Sequence, residues 1–305
     1  MNYEEFVCCV QTKMKERLGN EVQVELHRIV KNNSVVLDGL SVCEKGKGAA
    51  PTIYLNEFYE KYREGVTIPE ILEYMESVYE QNRLEEPFLT DFYMDYEKVK
   101  EHLACKLISR EKNRELLTQV PYVPFLDLAV VCYYRLDTPE MGSGTILVFE
   151  SHREKWGVSR EELLWTARQN TLRILPPSFI DLNEILGLGE AVLKEQDDVR
   201  GERRDTEKEE KIPMYILTNQ DNYLGAVNMI YDSVLEDAGR KLQSDFWLLP
   251  SSIHECILVP ASVSMTKEEL EAMVHHVNEN EVTKEEYLSD SVYFYQRALH
   301  KLERK

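Results

Sequence analysis

Basic residues are scarce in this chain. Its 36 lysines and arginines stand against 55 aspartates and glutamates, so the formal net charge is −19. Because nucleic acids and anionic membrane surfaces attract positively charged proteins, this imbalance argues against both as partners. It leaves proteins and small molecules as the classes of partner to expect.

Membrane-spanning and secretory features are also missing. No segment approaches the ~20 consecutive apolar residues that a transmembrane helix needs. Residues 1–6 are polar and acidic, unlike the basic and apolar regions of a signal peptide. The six cysteines contain no C-x-x-C pair and no compact framework, which indicates reduced thiols. These absences predict a cytoplasmic protein.

Residues 1–120 show mainly helical periodicity. Between the first two helical segments, residues 22–30 alternate between apolar and polar side chains, and residues 34–42 supply a return strand. We therefore predict an N-terminal helical region, 1–120, that contains one β-hairpin. Its helical segments, in which apolar side chains recur at helical spacing, are 2–18, 54–62, 68–84 and 96–120.

From residue 121 onward, strands joined by turn residues alternate with capped helices. The almost entirely charged segment 196–211 is predicted to be a solvated linker within this C-terminal domain, 121–305. A short strand, 291–295, precedes a basic tail. The pattern predicts an α+β fold, in which hairpin-plus-helix units build an antiparallel sheet with helices packed on it. The predicted hairpins are 125–136 with 145–149, 213–218 with 224–230, and 244–260; the predicted helices are 159–167, 182–193, 232–242 and one that starts after Thr266.

The hairpin 244–260 is the best candidate for a site. Two apolar runs flank a polar centre, and a second polar turn, 219–222, joins the preceding hairpin. A turn whose serines and histidine only hydrogen-bond the backbone explains the same residue types. The candidate binding residues are Asn219, Ser251, Ser252, His254 and Glu255.

Catalysis is the alternative interpretation of this hairpin. In an extended strand Ser252 and His254 point to the same face, so a hydrolase could use them together, or His254 could hold a metal ion. A carboxylate for the far ring nitrogen would have to come from elsewhere, and the chain has no G-x-S-x-G or H-E-x-x-H motif. His275 and Glu279 form an i,i+4 pair, which a position near a helix end also explains. No cofactor or metal site is predicted.

Several blocks of the sequence are distinctive: 120–131, 213–219, 245–259 with the core Pro-Ser-Ser-Ile-His-Glu, and 288–293. Together they resemble an uncharacterised bacterial protein family. The likeness also includes 52–55 and 92–117, so it covers nearly the whole chain. The family has no assigned activity, so the resemblance implies a bacterial cytoplasmic origin and transfers no catalytic residue.

The sequence thus favours a non-enzymatic binding or regulatory module. Polar loops converge in the predicted fold, whereas no intact catalytic or cofactor motif is present. We expect the loops 219–222 and 250–255 to form the contact surface for a protein partner or a small molecule. A hydrolase remains the alternative.

Overall fold

Helices and antiparallel sheets form an α+β fold, which confirms the predicted fold class. The charged linker predicted at 196–211, most of the helix predicted at 182–193, and Ser251 lie outside the residues that the structure describes. No helix within those residues is long and apolar enough to cross a membrane. The computed structural model describes residues 1–44, 52–82, 93, 95–138, 142–185, 212–250 and 252–305.

The N-terminal part is a small layer of helices on a three-stranded sheet. Its first helix begins at a capping box, in which the Asn2 side chain accepts from the Glu5 N–H and the Glu5 carboxylate accepts from the Asn2 N–H, each at 2.9 Å. Phe6, Val10 and Met14 on this helix are fully buried against the sheet and the other helices. The elements are α1 (Tyr3–Leu18), β1 (Val22–Val30), β2 (Val36–Glu44), β3 (Thr52–Tyr54), α2 (Leu55–Arg63) and α3 (Ile68–Asn82).

The remaining described residues build two further antiparallel sheets with helices. The elements are α4 (Tyr96–Val99), β4 (Leu103–Ser109), β5 (Tyr122–Phe125), β6 (Leu128–Thr138), β7 (Gly142–Leu147), α5 (Glu150–Trp156), α6 (Arg160–Ile174), β8 (Pro177–Asp181), α7 (Leu182–Ile185), β9 (Tyr215–Asn219), α8 (Asp232–Leu242), β10 (Phe246–Leu249), β11 (Cys256–Pro260), α9 (Lys267–Asn280), β12 (Tyr293–Gln296) and β13 (Lys301–Arg304). One sheet has the order β4-β6-β5 with β7 also paired to β6, and the other has the order β13-β12-β10-β11-β9-β8. One buried cluster contains residues of both sheets and of α6 and α8, so the two sheets share a core.

The predicted helix 96–120 is wrong. Tyr96–Val99 are α-helical, Lys100–His102 and Leu116–Thr118 form short 3-10 helices, and Leu103–Ser109 form strand β4, which pairs with β6. Six of the seven residues of β4 are buried, so both of its faces are covered. Apart from Lys106 and Ser109 this segment is apolar, so it shows no alternation of apolar and polar side chains, and the sequence alone does not distinguish strand from helix.

Two other segments also differ from the prediction. Residues Gly225–Ile230 form a 3-10 helix instead of a strand, and all six are buried, so this apolar run gives the same ambiguity. The predicted basic tail contains β13, which pairs with β12 at the sheet edge. The hairpin 244–260 is confirmed as β10 and β11, with Phe246 opposite Pro260.

The turn between β1 and β2 connects the N-terminal layer to the C-terminal sheet. The Asn33 side-chain amide donates to the carbonyls of Tyr287 at 2.6 Å and Lys284 at 3.0 Å. The Asn33 N–H donates to the side chain of the fully buried Asn113 at 2.8 Å. The domain boundary at residue 120 stays a prediction, and the paired strands β4 and β6 lie on either side of it.

The cysteines differ in burial and therefore in expected reactivity. All six are free; Cys8 is exposed, Cys9 and Cys43 are half-buried, and Cys105, Cys132 and Cys256 are buried. The hydrogen bond to Cys105 and burial raise the pKa of the Cys132 thiol, and burial raises that of Cys256. Because the thiolate is the reactive form, both effects slow modification.

Thiol labelling of the native protein should resolve these differences. We expect Cys8 to react with an aromatic disulfide reagent about 100-fold or more faster than the three buried thiols, which need an opening of the structure. Absorbance of the released thiol gives the rates. Cys8→Ser should remove the fastest phase and leave the slower phases of the half-buried Cys9 and Cys43, whereas equal rates at all six cysteines would contradict the burial.

Candidate functional site

The two polar loops predicted as a contact surface do meet. Strands β9 and β11 are antiparallel neighbours with Leu217 opposite Cys256, so the end of β9 lies beside the start of β11. The backbone carbonyl of His254 accepts from the Gly225 N–H and from the Thr218 hydroxyl, both at 2.9 Å. The loop after β9 and the loop before β11 therefore form one surface.

Close approach of these loops requires glycine at position 225. A Cβ atom there would lie 2.7 Å from the carbonyl oxygen of His254 and 2.8 Å from the nitrogen of Asn219, both of which are backbone atoms. Such distances lie far inside van der Waals contact, so any side chain would force the loops apart.

Asn219 organises the loop from within. Its side chain is fully buried; Oδ1 accepts from the N–H groups of Asp221 at 3.0 Å and Tyr223 at 3.3 Å, and Nδ2 donates to the Tyr223 carbonyl at 2.7 Å. These bonds form an Asx-type turn, in which the side chain replaces a missing backbone partner. Asn219 thus holds the exposed side chains of Asp221 and Tyr223 in place and is itself unable to reach a ligand.

Both ring nitrogens of His254 are engaged. Nδ1 accepts from the Leu224 N–H at 3.1 Å, which places the proton of the neutral ring on Nε2, 3.3 Å from the Glu286 carboxylate. The Tyr223 ring lies against the imidazole, with 5.2 Å between centroids. The ring therefore has no free nitrogen with which to activate a serine or bind a metal.

Of the other predicted residues of this hairpin, the structure describes Ser252 and Glu255. The Ser252 hydroxyl accepts from the backbone N–H of His254 at 2.9 Å, and Ser252 forms a β-bridge with Tyr287. Glu255 is half-buried just before β11, and Ser251 lies outside the described residues. This hydrogen bond joins the Ser252 hydroxyl to backbone and not to the imidazole. It fits the explanation in which the polar residues of the turn only hydrogen-bond the backbone.

Metal-ligand geometry is not found in the part of the chain that the structure describes. No group of three or more histidine, cysteine, aspartate or glutamate side chains there could hold a metal ion. His275 and Glu279 do meet on α9, at 3.2 Å, as an exposed ion pair. This pair alone supplies too few ligands for a structural or catalytic metal.

A cavity of about 490 Å³ lies beside the loop that Asn219 holds. Tyr133 and Arg135 are two residues apart on β6 and so point to the same side of the sheet. Residues of that loop, of β7 and of the end of α6 complete the wall. The lining residues are Tyr133, Arg135, Gly144, Thr145, Leu175, Asp221 and Tyr223.

Three polar side chains, Arg135, Asp221 and Tyr133, define the chemistry of this cavity. The Arg135 guanidinium contacts the Asp221 carboxylate at 2.7 Å and lies 3.8 Å from that of Asp137. The Tyr133 hydroxyl is buried without a hydrogen-bond partner among the described residues. Burial raises the pKa of Tyr133, so the hydroxyl keeps its proton and can both donate and accept.

Comparison with protein-family models matches residues 3–297 to a family described as "Family of unknown function (DUF5688)". The chain belongs to DUF5688. No curated protein and no solved structure matches the DUF5688 chain. The family match agrees with the resemblance found in the sequence and assigns no activity to any residue.

The sequence indicates only part of the lining of this cavity in the DUF5688 chain: the polar loop with Asp221, but not Tyr133 and Arg135 on β6. The loop 219–222 was predicted from its turn residues, and it carries Asp221. For Tyr133 and Arg135 the sequence predicts only a position in a strand. The available signal was an arginine within the apolar run 128–136, two residues after a tyrosine, because a charged side chain in a buried strand needs a partner.

Proposed function

We propose that this DUF5688 chain is a non-enzymatic module that binds a small molecule in the cavity beside the loop 219–223. The observation that carries the proposal is the buried Tyr133 hydroxyl, which has no partner among the described residues. Leaving a buried hydroxyl unpaired costs about 1–3 kcal/mol. Such a cost is explained if a bound molecule accepts or donates the missing hydrogen bond.

The size and lining of the cavity suit a small organic molecule. Its volume of about 490 Å³ falls within the ~300–1,000 Å³ typical of ligand sites. Tyr133, Tyr223 and Leu175 supply apolar surface, whereas Arg135 and Asp221 supply charge at one side. A mostly apolar wall with a few fixed polar groups is the usual composition of a binding site.

Hydrolase chemistry has less support from the geometry. A serine nucleophile needs a base with a free lone pair about 3 Å from its oxygen. The Nδ1 lone pair of His254 accepts from a backbone N–H, and its Nε2 faces Glu286. We also propose that the protein is cytoplasmic and bacterial. Six free cysteines are expected in a reducing compartment, and the sequence resembles a bacterial family.

Tyr133→Phe tests the proposal because it removes only the unpaired hydroxyl. We expect the free energy of unfolding to stay the same or rise by up to about 1 kcal/mol, since no described hydrogen bond is lost. Affinity for cavity ligands should fall about 5- to 10-fold. Urea denaturation measures the first quantity, and NMR titration with small amines, alcohols and carboxylic acids measures the second.

Tyr134→Phe is the matched control, because the neighbouring side chain lies on the opposite face of β6. It should leave ligand affinity unchanged. Two results would count against the proposed site. One is a Tyr133→Phe variant that binds as wild type, and the other is the failure of every small molecule to shift the amide signals of the cavity.

A further inference from the structure

We infer that the cavity selects small organic cations, in which an ammonium group is attached to a compact apolar body. This inference rests on the proposed function and names the class of ligand for that site. It is carried by three features of the cavity: the paired state of its arginine, the available oxygen of its aspartate, and its aromatic walls.

The arginine is not available to a ligand anion. The Arg135 side chain is 22% exposed, and it has two carboxylates within 4 Å, Asp221 at 2.7 Å and Asp137 at 3.8 Å. An acidic ligand would have to displace Asp221 from a charge-assisted hydrogen bond and then lie beside that carboxylate. Like-charge repulsion therefore disfavours an anion here.

The aspartate, in contrast, can serve a cationic ligand. Its ion pair with Arg135 engages Oδ2, and none of the described residues donates to Oδ1 of Asp221, so this oxygen can accept from an additional N–H donor. The Asp221 side chain is 45% exposed, which gives a ligand access to it. Tyr133 lines the same cavity, and its buried hydroxyl, which has no partner among the described residues, is the second acceptor that the inference assigns to the ligand. An ammonium group with its three N–H donors matches two acceptors of this kind.

Aromatic surface adds to the preference. The Tyr223 ring contacts His254 on one side, and with 45% of the residue exposed it also lines the cavity. The faces of tyrosine rings attract cations electrostatically. Leu175, which is nearly fully buried, provides apolar contact for the body of the ligand. The net charge of −19 further raises the concentration of cations near the surface.

Three probes of nearly equal size separate charge from shape: benzylammonium, benzyl alcohol and benzoate. We expect benzylammonium to bind about 10-fold or more tightly than either of the others, and added salt to weaken it. NMR titration gives the affinities. Shifts of the amides of Asp221, Tyr223 and Thr145 locate the bound probe.

Asp221→Asn removes the negative charge at nearly constant size. Benzylammonium should then bind about 10-fold more weakly, whereas benzoate should gain affinity, because Arg135 loses its closest carboxylate. Asp237→Asn, an exposed change on α8, is the matched control and should alter neither affinity. Tighter binding of benzyl alcohol or benzoate to the wild-type cavity would overturn the cation preference and leave the proposed site standing. Absence of binding by all three probes would overturn the preference as well, while the Tyr133→Phe titrations decide the site itself.

Discussion

Asn219→Ala is expected to lower the free energy of unfolding by about 3 kcal/mol, because it removes three hydrogen bonds from a fully buried side chain. The N–H groups of Asp221 and Tyr223 and the Tyr223 carbonyl would lose their partner. Urea denaturation followed by circular dichroism measures the change. Since this loop forms one wall of the cavity, affinity for cavity ligands should fall as well.

The next residue provides the control. Gln220 is exposed, so Gln220→Ala should change the free energy of unfolding by less than about 0.5 kcal/mol. Asn219→Asp keeps the acceptor oxygen and loses the donor to the Tyr223 carbonyl, so its cost should exceed that of Gln220→Ala. Wild-type stability in Asn219→Ala would mean that the loop does not depend on its buried amide.

Asp127→Ala is the second change with a large expected effect, about 3 kcal/mol or more of lost stability. The Asp127 carboxylate lies in the turn between β5 and β6 and accepts from the hydroxyls of Ser289 at 2.8 Å, Ser291 at 3.0 Å and Tyr293. It thereby joins one sheet to the segment that leads into the other. Asp237→Ala, at an exposed aspartate, should cost far less.

The contribution of Asp127 should depend on pH. Burial alone would raise the pKa of Asp127, but hydrogen bonds from Tyr293, Ser289 and Ser291 outweigh it and lower the pKa below its ordinary value of 3.8. A carboxyl group whose pKa is lower in the folded state stabilises the protein above the unfolded pKa, and this stabilisation is lost as the pH falls through the folded pKa.

Comparison of wild type with Asp127→Asn across pH measures the contribution of the ionised Asp127 carboxylate to the free energy of unfolding. The difference in free energy of unfolding should be largest near neutral pH and should shrink below about pH 4, where the carboxyl group of the unfolded chain becomes protonated. Urea denaturation at a series of pH values gives the curve. A difference that stays constant down to acid pH would show that the charge of Asp127 contributes nothing.

The fold could be predicted where local signals determine the structure. The capped helices α1 and α9 and the hairpin of β10 and β11 follow from capping residues, turn residues and apolar periodicity, which short segments contain in full. Strand β4 and the 3-10 helix after Leu224 could not be predicted in this way. Both are buried on every side, and their conformation is set by partners distant in sequence.

The candidate site shows the same limit. Asn219 and His254 stand out in the sequence because polar residues interrupt apolar runs, yet the structure gives both of them hydrogen bonds within the loops. The cavity depends instead on the contact of Arg135 with Asp221, whose positions are far apart in the chain. Nothing in the sequence around Arg135 or around Asp221 indicates that the two residues pair, so their contact could be found only from the structure.

The contact that Asn33 makes with the turn 284–287 spans 254 residues of sequence. The same turn carries Glu286, which faces the imidazole of His254. A fragment that starts after α3 would lack Asn33, so the carbonyls of Lys284 and Tyr287 would lose this hydrogen-bond donor. These carbonyls lie beside Glu286, in the turn that contacts His254. The amino-terminal layer therefore stabilises the turn 284–287. In an isolated carboxyl-terminal fragment we expect this turn, and the loop of His254 that it contacts, to become mobile first.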